Sequence, residues 1–178
     1  MIYLMRKNII ISEGLPVERI IGLKFLYIVI DSEYKLHYEF NNRGHIVLPI
    51  HKSEILPWTI YKNFPKNLIG RCKSDKKNII GVLQLWIYYT KDYSYGIIRG
   101  LGILQDFKGN KFKALVRLLK AMDEFCLHHR IKFVEASTGV IPEKVIRRAG
   151  FNPEPNRRFL HRFAEAVFRL THYVKEYT

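Results

Sequence analysis

At one junction the chain passes from a strand pattern to a long helical one, and a glycine marks the change. Residues Leu101 to Lys113 read L-G-I-L-Q-D-F-K-G-N-K-F-K. The stretch opens with the alternation of a strand (Leu101, Ile103) and turns a polar corner at Gln105 and Asp106. Beyond Gly109 the apolar positions recur at helical spacing, at Phe112, Leu115, Val116, Leu119, Met122, Phe125 and Cys126. A period of two that gives way to 3.6 predicts a strand running into an amphipathic helix, ending near His129. The first turn of such a helix leaves backbone N–H groups unpaired at the positive end of its dipole. Lys108, Lys111 and Lys113 crowd that turn, so a phosphate or pyrophosphate is a suitable guest.

The rest of the chain is read around this junction. Its 178 residues suit one domain with a real core, residues 1–178, made of a strand-rich part over 1–77 and a second part over 78–178. Ile2 to Ile11 reads as one strand. Its charges follow the apolar residues and no small-residue cleavage site comes after, which argues against a signal peptide. Ser12–Pro16 is a turn into a short helix carrying Val17, Ile20 and Ile21. Phe25–Ile30 is a strand, and Tyr34–Phe40 alternates as a second. Asn41–Gly44 turns into a third at His45–Ile50, giving a meander.

Residues 51–77, broken by Pro57 and Pro65, carry a short helix near Trp58 and Tyr61 and then a polar loop. Asn78–Tyr89 is a long central strand, Thr90–Ser94 a turn, and Tyr95 starts the strand that leads into the junction. Lys132–Thr138 reads as a strand and Pro142–Phe151 as a short helix ending in Gly-Phe. Asn152–Asn156 is a proline-stiffened loop. Arg157–Phe163 and Ala166–Val174 form a closing hairpin, with a helix over Phe159–Tyr173 as the competing reading.

This order of elements, with L101-x-I103 before F107-K108-G109, the long helix, the strand and the terminal A-G-F, resembles the GCN5-related N-acetyltransferase family. The resemblance implies a mixed α+β fold of the acyl-CoA N-acyltransferase kind, a central, mostly antiparallel sheet flanked by helices. It implies acetyl-CoA as cofactor and an amine as acceptor. The backbone of Ile103 and Leu104 would meet the pantetheine arm and thioester. Lys108, Gly109, Asn110, Lys111, Phe112 and Lys113 would hold the pyrophosphate. The chain also departs from the family. Lys111 and Lys113 replace glycines of the phosphate loop, Ile146 stands where a tyrosine acid is common, and Gly139 where an asparagine is frequent.

Acetyl transfer to an amine needs a base and a proton for the departing thiolate. Glu135, alternating with Val134 and Ala136 in its strand, is the candidate base. Tyr95, one of a group with Tyr88, Tyr89 and Tyr93, is the candidate acid. No zinc-ligand spacing surrounds Cys72 or Cys126, so no metal is expected, and free thiols point to a reducing, cytoplasmic setting. No apolar run approaches the ~20 residues that span a bilayer.

A formal charge of +14, from 30 Lys and Arg against 16 Asp and Glu, brings in a second class of function. A catalytically silent protein of the same fold would use that charge to bind nucleic acid or an acidic protein, as a phage or mobile-element component does.

Overall fold

The computed structural model describes residues 2–5, 9–12, 20–42, 78–137, 141–153 and 172–177. They form a mixed α+β structure built on one large sheet. Its strands are β3 (Gly22–Asp31), β4 (Leu36–Asn41), β5 (Ile79–Tyr89), β6 (Ser94–Ile103), β7 (Phe133–Ser137), β8 (Asn152–Pro153) and β9 (His172–Glu176). They lie in the order β4-β3-β5-β6-β7-β9-β8, and every neighbouring pair is antiparallel except β6 and β7. Helix α1 (Lys111–His128) links that parallel pair, and α2 (Glu143–Arg148) follows β7. A parallel pair cannot be closed by a tight turn, so a crossover of this length is required between β6 and β7. Among the described residues no helix is long and apolar enough to cross a membrane.

Several expectations need correction. The first strand is two: β1 (Ile2–Met5) and β2 (Ile9–Ser12) pair antiparallel in a sheet of their own. The polar residues Arg6, Lys7 and Asn8 interrupt the apolar run there. Ile20 and Ile21 are not helical; they lead directly into β3, and Ile21 is exposed. Among the described residues β3 pairs with both β4 and β5, and β4 has β3 as its partner strand; the third strand of the expected meander lies outside them.

Asn152–Pro153, read as loop, is a short strand against β9. β9 covers His172–Glu176, taking in the end of the strand placed at Ala166–Val174, and pairs along β7. Residues 13–19, with most of the expected turn and the start of the short helix, the strand at 45–50, residues 51–77 and the stretch 154–171 lie outside the described residues.

The two faces of the sheet differ. One packs Leu26, Ile28, Ile30, Leu83, Leu85, Ile87 and Ile98 against Ala114, Leu118, Met122 and Cys126 of α1 and Ile146 of α2. The buried stripe of α1 holds Leu119, Met122 and Cys126 as expected, but it also takes in Ala114, Leu118 and Ala121, while Phe112 is 59% exposed. Small alanines permit the close approach of helix to sheet, and Phe112 sits in the first turn, beyond the sheet's cover. The other face carries Phe25, Tyr27, Val29, Val82, Trp86, Tyr88, Tyr95, Ile97, Phe133 and Val174.

Both helices end in the same way. Ile131 N–H reaches the Cys126 carbonyl while Arg130 N–H reaches Leu127; Phe151 N–H reaches Ile146 while Gly150 N–H reaches Arg147. These are Schellman closures, with an apolar contact across each and a left-handed residue at the turn, Arg130 (φ 53°) or Gly150 (φ 83°). The A-G-F ending is therefore a helix stop with a structural cause, independent of any ligand.

Candidate functional site

The parallel pair is joined over only three positions. Tyr95 lies opposite Phe133, Gly96 opposite Val134 and Ile97 opposite Glu135. Beyond them β6 continues to Ile103 and β7 to Ser137 with no further pairing between them. From Ile98 onward, the β7-facing edge of β6 has no strand partner among the described residues. Bare strand edges are normally covered or paired, because they present main-chain donors and acceptors that lack partners.

At the open end of the wedge stands the start of α1, and its surroundings are more crowded than the sequence implied. Asn110 is the N-cap: its side chain accepts the Lys113 N–H at 2.9 Å. Its own N–H donates to the phenol of Tyr34 at 2.9 Å. Tyr34 arrives from the β3–β4 turn, where it holds φ 63°. Its ring lies edge-on to Phe107 at 6.0 Å, with the Lys113 ammonium 4.7 Å from its centre. The Lys111 ammonium bonds the Gln105 carbonyl.

Gly109 is explained by this packing. A methyl group there would stand 2.3 Å from the Phe107 ring and 2.8 Å from the Tyr34 oxygen. The N–H groups of Lys111 and Phe112 stay open among the described residues.

The remaining candidates are placed as follows. Ile103 closes β6, half-buried opposite Gly81. Leu104 spends its N–H on the Ile80 carbonyl at 2.8 Å, and its carbonyl receives Phe107 N–H at 3.3 Å. Lys108, Lys111 and Lys113 are exposed. Glu135 is 3% exposed on the face opposite α1, beside the last paired position of the wedge. Tyr95 is equally buried and stacks on Tyr88, with ring centres 5.1 Å apart and planes 13° apart. Ile146 points into the core, so no acid occupies that place, and Gly139 lies outside the described residues.

Three residues that sequence reasoning passed over converge here. The β5–β6 ladder steps from Gln84↔Gly100 to Leu85↔Ile98, so Arg99 is the extra residue of a β-bulge. Its guanidinium lies 4.7 Å from the centre of the Trp86 ring. Burial raises the pKa of Tyr88; a hydrogen bond and charge from Arg99 oppose this, and the Glu135 charge adds to it. Tyr88 therefore keeps its proton, under the opposed influence of a cation and a carboxylate. Gln84 is wholly buried. Both ends of its amide, the Trp86 indole N–H and Arg99 Nε are buried without a hydrogen-bond partner among the described residues. The signal for these residues was present: one Gln and one Arg each interrupt an otherwise apolar strand, I-I-G-V-L-Q-L-W-I and Y-G-I-I-R-G-L-G-I.

Among the described residues no group of His, Cys, Asp and Glu is gathered to hold a metal ion. No protein-family model and no curated protein matches the chain.

Proposed function

We propose that this protein is an acetyl-CoA-dependent N-acetyltransferase, with an amine as acceptor and the wedge between β6 and β7 as its site. The reading draws on the resemblance to the GCN5-related N-acetyltransferase family. One observation carries it: the parallel strands part after Ile97 and Glu135, and β6 runs on to Ile103 without β7 before the chain turns into α1. Acetyl-CoA supplies an activated acetyl thioester and a diphosphate.

Among the described residues the edge of β6 beyond Ile97 and the N–H groups of Lys111 and Phe112 have no partner; the first suits an extended arm, and the second, with three nearby lysines, suits an anion. Glu135 takes the proton that an ammonium must lose before its nitrogen can attack. Tyr88, protonated and beside Arg99, is placed better than Tyr95 to give a proton to the leaving sulfur. Millimolar acetyl-CoA is expected to raise the melting temperature; a ligand at a hundred times its Kd stabilises by about 2.7 kcal/mol. No shift at that concentration overturns the reading.

A second reading, a catalytically silent basic protein of the same fold, has its own support. The cap side chain and the N–H of Asn110 are both engaged, and the ammonium groups of Lys111 and Lys113 turn to protein partners. Lys113, Arg117 and Lys120 line the exposed side of α1. Retention on DNA that falls steeply with salt, together with no acetyl-CoA shift, would establish it; salt-insensitive or absent retention removes it.

A further inference from the structure

The unmade hydrogen bonds at the β6 bulge describe a ligand. Burying a polar group without a partner is costly, and native structures carry few such groups unless a site requires them. Here they occur together. Gln84 sits opposite Gly100, Arg99 is the bulged residue between Ile98 and Gly100, and the Arg99 guanidinium covers Trp86. The open groups include three donors, Arg99 Nε–H, Trp86 Nε1–H and the Gln84 amide N–H₂, beside two acceptor oxygens, Gln84 Oε1 and Glu135 Oε2. Whichever way the Gln84 amide is turned, it contributes one donor end and one acceptor end.

Three donors around a guanidinium edge call for an oxyanion, and the charge balance selects among oxyanions. Arg99 brings one positive charge and Glu135, also close to Tyr88, one negative charge. A monoanion with an ammonium beside it leaves the enclosure neutral. A phosphate dianion would leave buried charge without compensation. Carboxylate geometry also matches the fork of an arginine.

We propose that the acceptor is an amino acid or a molecule ending like one, its carboxylate held by Arg99, Trp86 and Gln84 and its amine directed to Glu135. The proposal rests on the acetyltransferase reading and names the substrate class of that same site.

The test uses the full chain in thermal shift and calorimetry, with pooled L-amino acids as probes, in the presence and absence of acetyl-CoA. At least one amino acid is expected to bind, and its decarboxylated amine to bind at least about thirtyfold more weakly. Arg99→Gln should cause a similar loss while its acetyl-CoA shift persists. Gln84→Met replaces a stranded amide with an apolar chain of similar shape; it should raise the melting temperature of the ligand-free protein and weaken amino-acid binding. A lower melting temperature for Gln84→Met means that internal water already satisfies the amide, and the proposal falls. It falls too if acetyl-CoA binds but no amino acid does, or if the decarboxylated amine binds equally well. Failure of acetyl-CoA itself to bind sinks the enzyme reading instead, and amino-acid binding in its absence would leave the carboxylate site standing.

Discussion

The phenol of Tyr34 accepts the backbone N–H of Asn110 at 2.9 Å, tying the turn between β3 and β4 to the residue that caps α1. The turn is itself held in place by Asp31. One oxygen of its buried carboxylate accepts the N–H groups of Glu33 and Lys35 at 2.9 and 3.0 Å, and the other bonds His37 at 2.9 Å. The geometry of the candidate anion loop therefore depends on residues far away in the chain.

Gly109→Ala is expected to destabilise the protein by about 1–3 kcal/mol with no ligand present, because the new methyl meets the Phe107 ring and the Tyr34 oxygen. Adding Phe107→Leu should recover part of the loss. Urea unfolding of the two single variants and the double variant measures the coupling. Strict additivity would show that Gly109 is not explained by this packing.

Asp31 predicts a pH dependence. Burial by itself would raise its pKa, but the bonds from His37 and the Lys35 and Glu33 amides hold the carboxyl below its usual 3.8. A depressed carboxyl contributes stability that is present above the unfolded pKa and lost as pH falls through the folded one. Asp31→Asn should cost about 1–2 kcal/mol at neutral pH, since charged hydrogen bonds become neutral ones. The gap between variant and wild type should close as pH falls below 3.8. Equal gaps at pH 7 and pH 3 would refute this.

Cys126 is wholly buried, and burial followed by the Asp123 charge pushes its thiol up to about 12. In a Cys72→Ser variant the native protein should show no titratable thiol at pH 8, and one after unfolding. The sign at high pH is the reverse of that for Asp31. The neutral thiol contributes stability below the unfolded value near 9, lost as pH rises from there toward 12. Relative to Cys126→Ala, the wild type should lose stability across that interval. Rapid labelling of the native thiol would contradict the burial.

Arg130 holds φ 53° at the closure of α1, a conformation that side chains with a Cβ resist. Arg130→Gly should stabilise the protein by about 1 kcal/mol, raising the melting temperature by about 2–4 °C. The Ser94 hydroxyl that donates to the Arg130 carbonyl loses nothing, since that contact is to backbone. An unchanged or lower melting temperature would show that the arginine side chain contributes more than its backbone strain costs.

How far the chain could be read depended on how local each cause was. The strand–glycine–helix junction at Leu101–Lys113, the long strand β5 and the helix stop at Gly150-Phe151 follow from periodicity and from backbone freedom at single residues. Those causes act over a few neighbours, and the structure has each element in place. Glu135 and Tyr95 were picked out by residue type and alternation, and both lie buried on the face away from α1. Gln84 and Arg99 each interrupt an apolar strand, but a bulge has no periodic signature, and their meeting with Trp86 appears only when β5 is laid against β6.

What the amino-acid order determined by itself is the set of elements: where apolar side chains alternate, where they recur at helical spacing, and where the backbone must turn. Tertiary structure decided what those elements mean. It set β3 between β4 and β5, parted β6 from β7 after Ile97, and brought Tyr34 onto Asn110. It also gathered Gln84, Trp86, Tyr88, Arg99 and Glu135 on one face of the sheet. Hydrophobic patterning is written in each strand separately. Pairing partners, register and the companions of a buried polar group depend on which strands lie side by side, and that is a property of the whole chain.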